Sequence, residues 1–343
     1  MKILLIGNGF DLAHGLPTAY KDFLKYCTDI RQQMFLNDNS PLYEAYTHIR
    51  DNTWVDYFLN CQSYIGENWI DFESEISRVI RALDEARFQT SQGGSVHTLT
   101  EKEQNTLSSI KNASRKSIYD IYQDVEAIDQ FTTFLNTELE RLIRALEIYI
   151  TTVINNLEIL RRIPDIERID PDCVLSFNYS NTYERIYGKG KSVEYDFIHG
   201  KALPSHTLET SSLVLGIDEY LTGEDKNNEL QFLSFKKYYQ RIYKSTGNAY
   251  LDWVADIQEQ PLLRHILYIY GHSLDVTDKD VLKMLICNDN VHTKIFYHCR
   301  YPDDKRALGQ MIKNLIRIIG QNELIRRTGG RHRTIEFIPA VSR

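Results

Sequence analysis

The sequence predicts an α/β fold, a parallel sheet with a large helical insertion after its first strand. Three observations carry this. The chain opens with a short apolar run, "KILLI", that stops at glycine. From residue 165 onward, apolar strand-like runs alternate with helical ones, and nearly every strand ends in Gly, Asn, His, Ser or Asp. Between the two lies a long block with helical periodicity. Short, continuous apolar runs separated by helices are the pattern of buried parallel strands.

Lys2 to Ile6 reads as the first, buried strand. From Tyr20 to about Tyr64, Phe23, Leu24, Cys27, Ile30, Met34 and Phe35 recur at helical spacing. "ENWIDFESEISRVIRALDEAR" follows as an amphipathic helix, with Trp69, Phe72, Ile76, Val79, Ile80 and Leu83 on one face. "QTSQGGSVHTLTEKEQNTLSSIKNASRKS" is polar and weakly periodic and reads as a loop. Helix returns from about Val125 to Arg162 and ends at Pro164. Then "DCVLSFNYS", "VEYDFIHG", "SSLVLGID", "LLRHILYIYG", "KIFYHC" and "TIEFIP" read as strands. "NTYERIYG", "DVLKML" and "DKRALGQMIKNLIRIIG" read as helices among them. No repeat and no Pro-rich linker divides the chain. One α/β domain over residues 1–20 and 165–343, with an insertion over 21–164, is expected.

The chain has 343 residues, 42% of them hydrophobic, and a formal net charge of −7. Mild acidity argues against a sequence-independent grip on a nucleic-acid backbone, which needs a basic surface. The five cysteines are odd in number and scattered singly, so neither a disulfide framework nor a structural zinc site is expected. His292, His298 and Cys299 match no zinc spacing, and no metal is expected. No leader with a cleavage site precedes the first strand, and no apolar run nears the ~20 residues that span a bilayer. A cytoplasmic protein without a membrane segment is the expectation.

The strand ends concentrate the chemistry. "IGNGFDLAHGLPT" follows the first strand, and its glycines permit close approach to bare backbone N–H groups. It has neither the spacing of a dinucleotide fingerprint nor the Gly-Lys-Ser/Thr of a P-loop. Turn chemistry, with Asp11 as a cap, explains part of it but not His14 and the rigid "GLPT". Asn178 ends a second strand, with Asn181 or Thr182 as a helix cap. His199 ends a third, before a glycine. Gly271, His272, Ser273 and Asp275 follow a fourth, with Thr277 as N-cap and Asp280 as a first-turn acid. In open α/β sheets, ligands bind outside the carboxyl ends of the strands, where such residues converge. Asp71, Glu73 and Glu75 sit close together on the inserted helix. They read either as a solvated face or as carboxylates for a metal-dependent nuclease.

"LLIGNGFDLAHGLPTAYKDF" closely resembles the N-terminal motif of the AbiH family, bacterial proteins linked to abortive infection against phage. "NWIDFESEI", "SFNYSNTYE", "IHG" and "YGHSLDVTDKDVL" resemble that family's later motifs in order, over nearly the whole chain. More distantly, the motif order is similar to the SIR2-like, NAD-binding variety of Rossmann-like sheet. There a Gly-x-Gly-x-Ser…Gly-x-Pro loop cradles the dinucleotide, and an Asn strand end, a His-Gly and a Gly-x-Ser-Leu-x-Asp loop follow. The matching pieces are Gly7, Gly9, Gly15 and Pro17, then Asn178, then His199 and Gly200, then Gly271, Ser273 and Asp275. Asp11 stands where sirtuins carry Ser, and their zinc ribbon has no counterpart, so protein deacetylation is not implied. SIR2-like defence proteins that destroy NAD are the nearer comparison.

The resemblance implies a Rossmann-like domain with NAD as substrate or ligand. Gly7, Asn8, Gly9, Phe10, Asp11, His14, Gly15, Pro17 and Thr18 would wall the pocket, joined by Tyr179, Gly271, His272, Ser273 and Asp275. Asn178 would orient a water or the nicotinamide amide, and His199 would act as general base. Loop N–H groups would face the pyrophosphate, Asp11 the ribose, and Ser273 with Asp275 the adenosine half. NAD hydrolysis at the nicotinamide–ribose bond is one reading. A non-catalytic nucleotide or ADP-ribose sensor is another. A phage-derived or defence-system protein is the expected trigger, and the helical insertion is the expected face for any homo-oligomer.

Overall fold

The computed structural model describes residues 1–33, 40–65, 71–94, 98–115, 122–159, 161–218, 230–299, 301 and 303–341. In chain order, β1 (Lys2–Ile6) and α1 (Asn8–Ala13) come first. They are followed by α2 (Tyr20–Arg31), α3 (Pro41–Ile49), α4 (Thr53–Ile65), α5 (Phe72–Ser91), α6 (Glu101–Ala113) and α7 (Val125–Thr152). Next are α8 (Pro164–Glu167), β2 (Cys173–Ser176), α9 (Thr182–Ile186), β3 (Glu194–Phe197), α10 (Lys237–Tyr243) and α11 (Tyr250–Glu259). The chain closes with β4 (His265–Tyr270), α12 (Lys279–Ile286), β5 (Val291–Cys299), α13 (Arg306–Ile319), α14 (Gln321–Thr328) and β6 (Ile335–Val341). Met34, Phe35 and Trp69, counted among the helical apolar residues above, lie outside the described residues.

The chain forms two compact units. One holds Met1–Thr18, Ile154–Lys201 and Ser245–Arg343; the other holds Ala19–Val153 and Ala202–Lys244. Residues 202–244, read from sequence with the α/β domain, thus pack with the helices.

The first unit is built on one six-stranded, all-parallel sheet of order β3-β2-β1-β4-β5-β6. That is the doubly wound, Rossmann-like order, with its switch point between β1 and β4. The apolar run of β1 exists because both faces of the sheet are covered. Ile3 and Leu5 join Leu175, Leu267, Ile269 and Ile295 in a core shared with α11, α12 and α13. Leu4 and Ile6 join Val174, Phe10, Ile166 and Tyr183 on the opposite face. Each of these side chains contributes about 1.5–3 kcal/mol on full burial.

In the second unit, Phe72 stacks on Phe58 at 4.0 Å and on Tyr20 at 4.1 Å between ring centroids. The fully buried Glu147 of α7 accepts from Leu203 N (3.2 Å) and from His206 Nδ1 (2.6 Å), which fixes the later segment to this helix.

Three expected elements differ. The helix expected from Val125 to Arg162 ends at Thr152, and Pro164 starts the short α8 instead of ending that helix. The segment around Glu101–Ala113 is a helix rather than a loop. Thr100 and Glu103 form a reciprocal capping box, and Leu107, Ile110 and Ala113 supply a narrow buried stripe. "SSLVLGID" is not a sheet strand; only Ile217 makes a single bridge, to Lys236. Leu213, Val214 and Leu215 are buried, which explains their apolar run. The Gln240 side chain satisfies Leu215, accepting from its N–H (3.0 Å) and donating to its carbonyl (3.1 Å), as a neighbouring strand would have done. Among the described residues, no helix is long and apolar enough to cross a membrane.

Candidate functional site

The carboxyl ends of β1, β2, β3 and β4 are tied to one another by named contacts. The turn after β1 touches the turn after β4 backbone to backbone. Gly7 N–H donates to Tyr270 O (3.2 Å), and Gly9 N–H donates to Gly271 O (2.8 Å). A Cβ on Gly271, whose φ is +68°, would meet Phe10 N, and one on Gly9 would lie 2.8 Å from Gly271 Cα. The glycines are therefore required by the close approach of two loops of the protein itself. Phe10 N–H is spent as well, on Gly7 O (2.8 Å). These three N–H groups are not available to a pyrophosphate, which corrects that part of the expectation. Gly15, at φ +80°, ends α1 and donates to Leu12 O.

Asn178 reaches across from the end of β2. Its Nδ2 donates to Gly7 O (3.0 Å), and its main-chain N–H donates to Ser176 Oγ (3.1 Å). Its Oδ1 is buried and without a hydrogen-bond partner. Asp11 lies beside it. Asp11 does not cap α1, whose N-cap is Gly7 with no side-chain bond. Instead Oδ2 accepts from Ser180 Oγ (2.5 Å), and Ser180 in turn pairs with Thr182 Oγ1 (2.9 Å). Oδ1 of Asp11 is buried without a partner. Burial pushes the Asp11 carboxyl up to about 6, against the lowering pull of Ser180, Thr182, Asn178 and the charge of Arg185.

His14 is spoken for. Its Nδ1 contacts Phe10 O (2.7 Å) and its Nε2 contacts Tyr187 OH (2.9 Å). A carbonyl only accepts, so Nδ1 carries the proton and Tyr187 donates to Nε2. Tyr187 also accepts from Ile163 N–H (2.8 Å). Burial lowers the pKa of His14, in keeping with a neutral ring. This histidine braces the fold and presents neither nitrogen to a ligand, against its expected place in the pocket wall. Thr18 Oγ1 donates to Asn8 Oδ1 (2.6 Å), closing the same loop.

The other half of the site gathers two imidazoles around one carboxylate. His199, after β3, places Nε2 at 3.5 Å from Asp278 Oδ1. His272, after β4, places Nε2 at 3.4 Å from Asp278 Oδ2. Both rings are buried. The Phe177 ring stands edge-on to each, at 5.5 Å from His199 and 4.4 Å from His272, and Tyr179 lies 6.3 Å from His199. The Asp275 side chain accepts from Thr277 N–H (3.1 Å) and so closes the short 3₁₀ turn Val276–Asp278; Thr277 is not the cap. Ser273 contributes its carbonyl to Asn314 Nδ2 (3.0 Å).

Sequence reasoning missed Asp278 and Ser180. The run "YGHSLDVTDKDVL" that marks this strand end contains Asp278, but the helix cap is expected at Thr277. Asp278 occupies the N-cap position of α12, where aspartate ordinarily bonds the first turn, yet it makes no side-chain cap bond.

Asp71, Glu73 and Glu75 do not converge as a metal site. Asp71 caps α5, Glu73 pairs with Lys237 Nζ (2.7 Å), and the buried Glu75 pairs with Arg78 (3.0 Å). Among the described residues, no group of three or more His, Cys, Asp or Glu is placed to hold a metal ion.

The sheet order defines a Rossmann-like protein, with a cluster of two histidines and one carboxylate at its strand ends. Nothing among the curated proteins or the solved structures matches the chain. The family described as Bacteriophage abortive infection AbiH matches residues 3–298, and the chain belongs to that family. It is accordingly an anti-phage abortive-infection protein.

Proposed function

We propose that the strand-end site binds NAD and hydrolyses its nicotinamide–ribose bond. The observation that supports this most directly is the buried His199, 3.5 Å from Asp278, at the strand ends of a sheet of dinucleotide-binding order. A histidine titrates near neutrality and is suited to take a proton from a water. In the proposed reaction, that water adds to the ribose carbon as the glycosidic bond breaks. The bond's electron pair leaves with nicotinamide, and the water's proton goes to His199. Asn178, at the end of the neighbouring strand β2, has a buried, unpartnered carbonyl oxygen, a group suited to orient the water or the nicotinamide amide. Asp11 Oδ1, likewise unpartnered, suits a hydroxyl donor such as a ribose. The N–H groups of Gly7, Gly9 and Phe10 already donate within the protein, so the proposed binding of the pyrophosphate does not use them.

The test is direct. Purified protein is incubated with NAD and the mixture assayed for nicotinamide and ADP-ribose. Both should appear, and His199→Ala should abolish them while its circular dichroism matches wild type. Equal turnover by wild type and His199→Ala would remove the assignment. Tight binding without products would favour a nucleotide sensor.

A further inference from the structure

We infer that the helical unit carries a binding site of its own, between α5 and α6, for a small phosphorylated sugar. It stands on residues of that unit alone and does not depend on the reaction proposed for the strand ends.

The two helices leave a cavity of about 290 Å³ between them. Small side chains make the room. Ser74, Ser77 and Ala82 of α5 and Thr100 and Thr106 at the start of α6 line it, where larger apolar side chains would have closed the contact. The other faces of both helices are closed in that way: Ile76, Val79 and Leu83 of α5 and Leu107 and Ile110 of α6 are buried. The volume lies at the small end of the range for ligand sites and suits one small molecule.

Charge narrows the choice. Three cations, Arg78, Arg81 and Lys102, line the cavity with one carboxylate, Glu103. Arg78 and Arg81 stand three residues apart on α5 and so share a face. Arg78 gives Nη1 to Glu75 Oε2 (3.0 Å), but a guanidinium has five N–H donors, so this pair does not exhaust it. Lys102 is exposed and forms no ion pair among the described residues. Glu103 is turned back on its own helix start, where Oε2 accepts from Thr100 N–H (2.9 Å) and Thr100 Oγ1 (2.7 Å). An excess of cations favours an oxyanion, and guanidinium groups suit a phosphate.

The hydroxyls ask for something else. Ser74 gives its proton to Asp71 Oδ2 (2.7 Å), Thr100 to Glu103 Oε2, and Thr106 to Lys102 O (2.9 Å). With their protons spent, these oxygens accept from a ligand. A bare phosphate has little to give them, whereas sugar hydroxyls donate. An anionic group joined to several hydroxyls is the chemistry of a phosphorylated sugar.

Titration calorimetry of the full chain with ribose 5-phosphate tests this. One molecule should bind per chain, more weakly as salt is added. Ribose alone and inorganic phosphate alone should each bind weaker by about tenfold or more. Hydrogen exchange should slow in residues 74–82 and 100–106 when ribose 5-phosphate is present. Lys102→Glu replaces a cation by an acid, and an acid in a first helical turn is favourable, so the variant keeps its fold. Its affinity for ribose 5-phosphate should fall by about tenfold or more, with NAD turnover at the wild-type level. His199→Ala should bind ribose 5-phosphate as wild type does. No binding by wild type overturns the site, and so does an affinity that Lys102→Glu leaves unchanged. Inorganic phosphate binding as tightly as ribose 5-phosphate overturns the sugar assignment. Slowed exchange confined to the turns after β1, β2, β3 and β4 overturns the location. Absence of NAD turnover by wild type would instead overturn the proposed reaction and leave this site standing.

Discussion

Replacing Asp11 with asparagine should stabilise the protein, and by an amount that depends on pH. Asp11 is 1% exposed, its Oδ2 accepts from Ser180, and its Oδ1 has no partner. Its carboxyl rises from 3.8 to about 6, chiefly through burial. At about 1.4 kcal/mol for each tenfold change in proton affinity, the ionised form costs folding about 3 kcal/mol. The sign follows from where each state holds its proton. Below pH 3.8 the group is neutral folded and unfolded, and it contributes nothing. Between 3.8 and 6 the unfolded chain releases the proton while the folded chain keeps it, so stability falls as pH rises. Above 6 the full cost applies. Asparagine has the same shape, can accept from Ser180, and is neutral throughout. Urea unfolding of wild type and Asp11→Asn should therefore agree within about 1 kcal/mol at pH 4. By pH 8 the variant should lead by about 3 kcal/mol. A lead that is the same at both pH values, or a variant weaker at pH 8, would refute the reasoning. A residue that costs stability at neutral pH and sits at the strand ends is what a functional site is expected to retain.

Two further outcomes follow from the same geometry. Gly271→Ala places a Cβ against Phe10 N at a position held at φ +68°, so it should cost several kcal/mol or prevent folding, read as a lowered urea midpoint. Tyr187→Phe strips the hydroxyl that donates to His14 and accepts from Ile163. It should cost about 1–3 kcal/mol by the same measurement.

Much of the first unit was readable from local pattern. "KILLI", "CVLS" and "HILYIY" are apolar because helices cover both faces of their sheet, and that is visible without knowing which strand neighbours which. The helix from Val125 showed itself by period alone. The failures have local causes too. The stripe of Glu101–Ala113 is only three residues wide, and its clearest mark was the capping box at Thr100 and Glu103. "SSLVLG" looked like a strand because it is buried, but Gln240 took the place of the neighbouring strand.

The same division runs through the site. The order of the motifs already marked Asn178, His199 and the Gly271 turn as strand ends, and strand ends of a parallel sheet share one edge. What each side chain does there was decided only by tertiary contacts. His14 and His199 look alike in sequence, each beside a glycine. One is saturated by a carbonyl and a tyrosine, the other faces an aspartate 79 residues further along the chain. Gly9 looked like a cradle for a ligand and proved to be clearance for Gly271. Asp11, the residue that local pattern explained least, acquires its raised pKa from burial beside Ser180 and Asn178. Burial, partner and tautomer depend on which distant residues the fold brings within a few ångströms. Periodicity reports the face a residue occupies, and it carries no information about what waits on the other side.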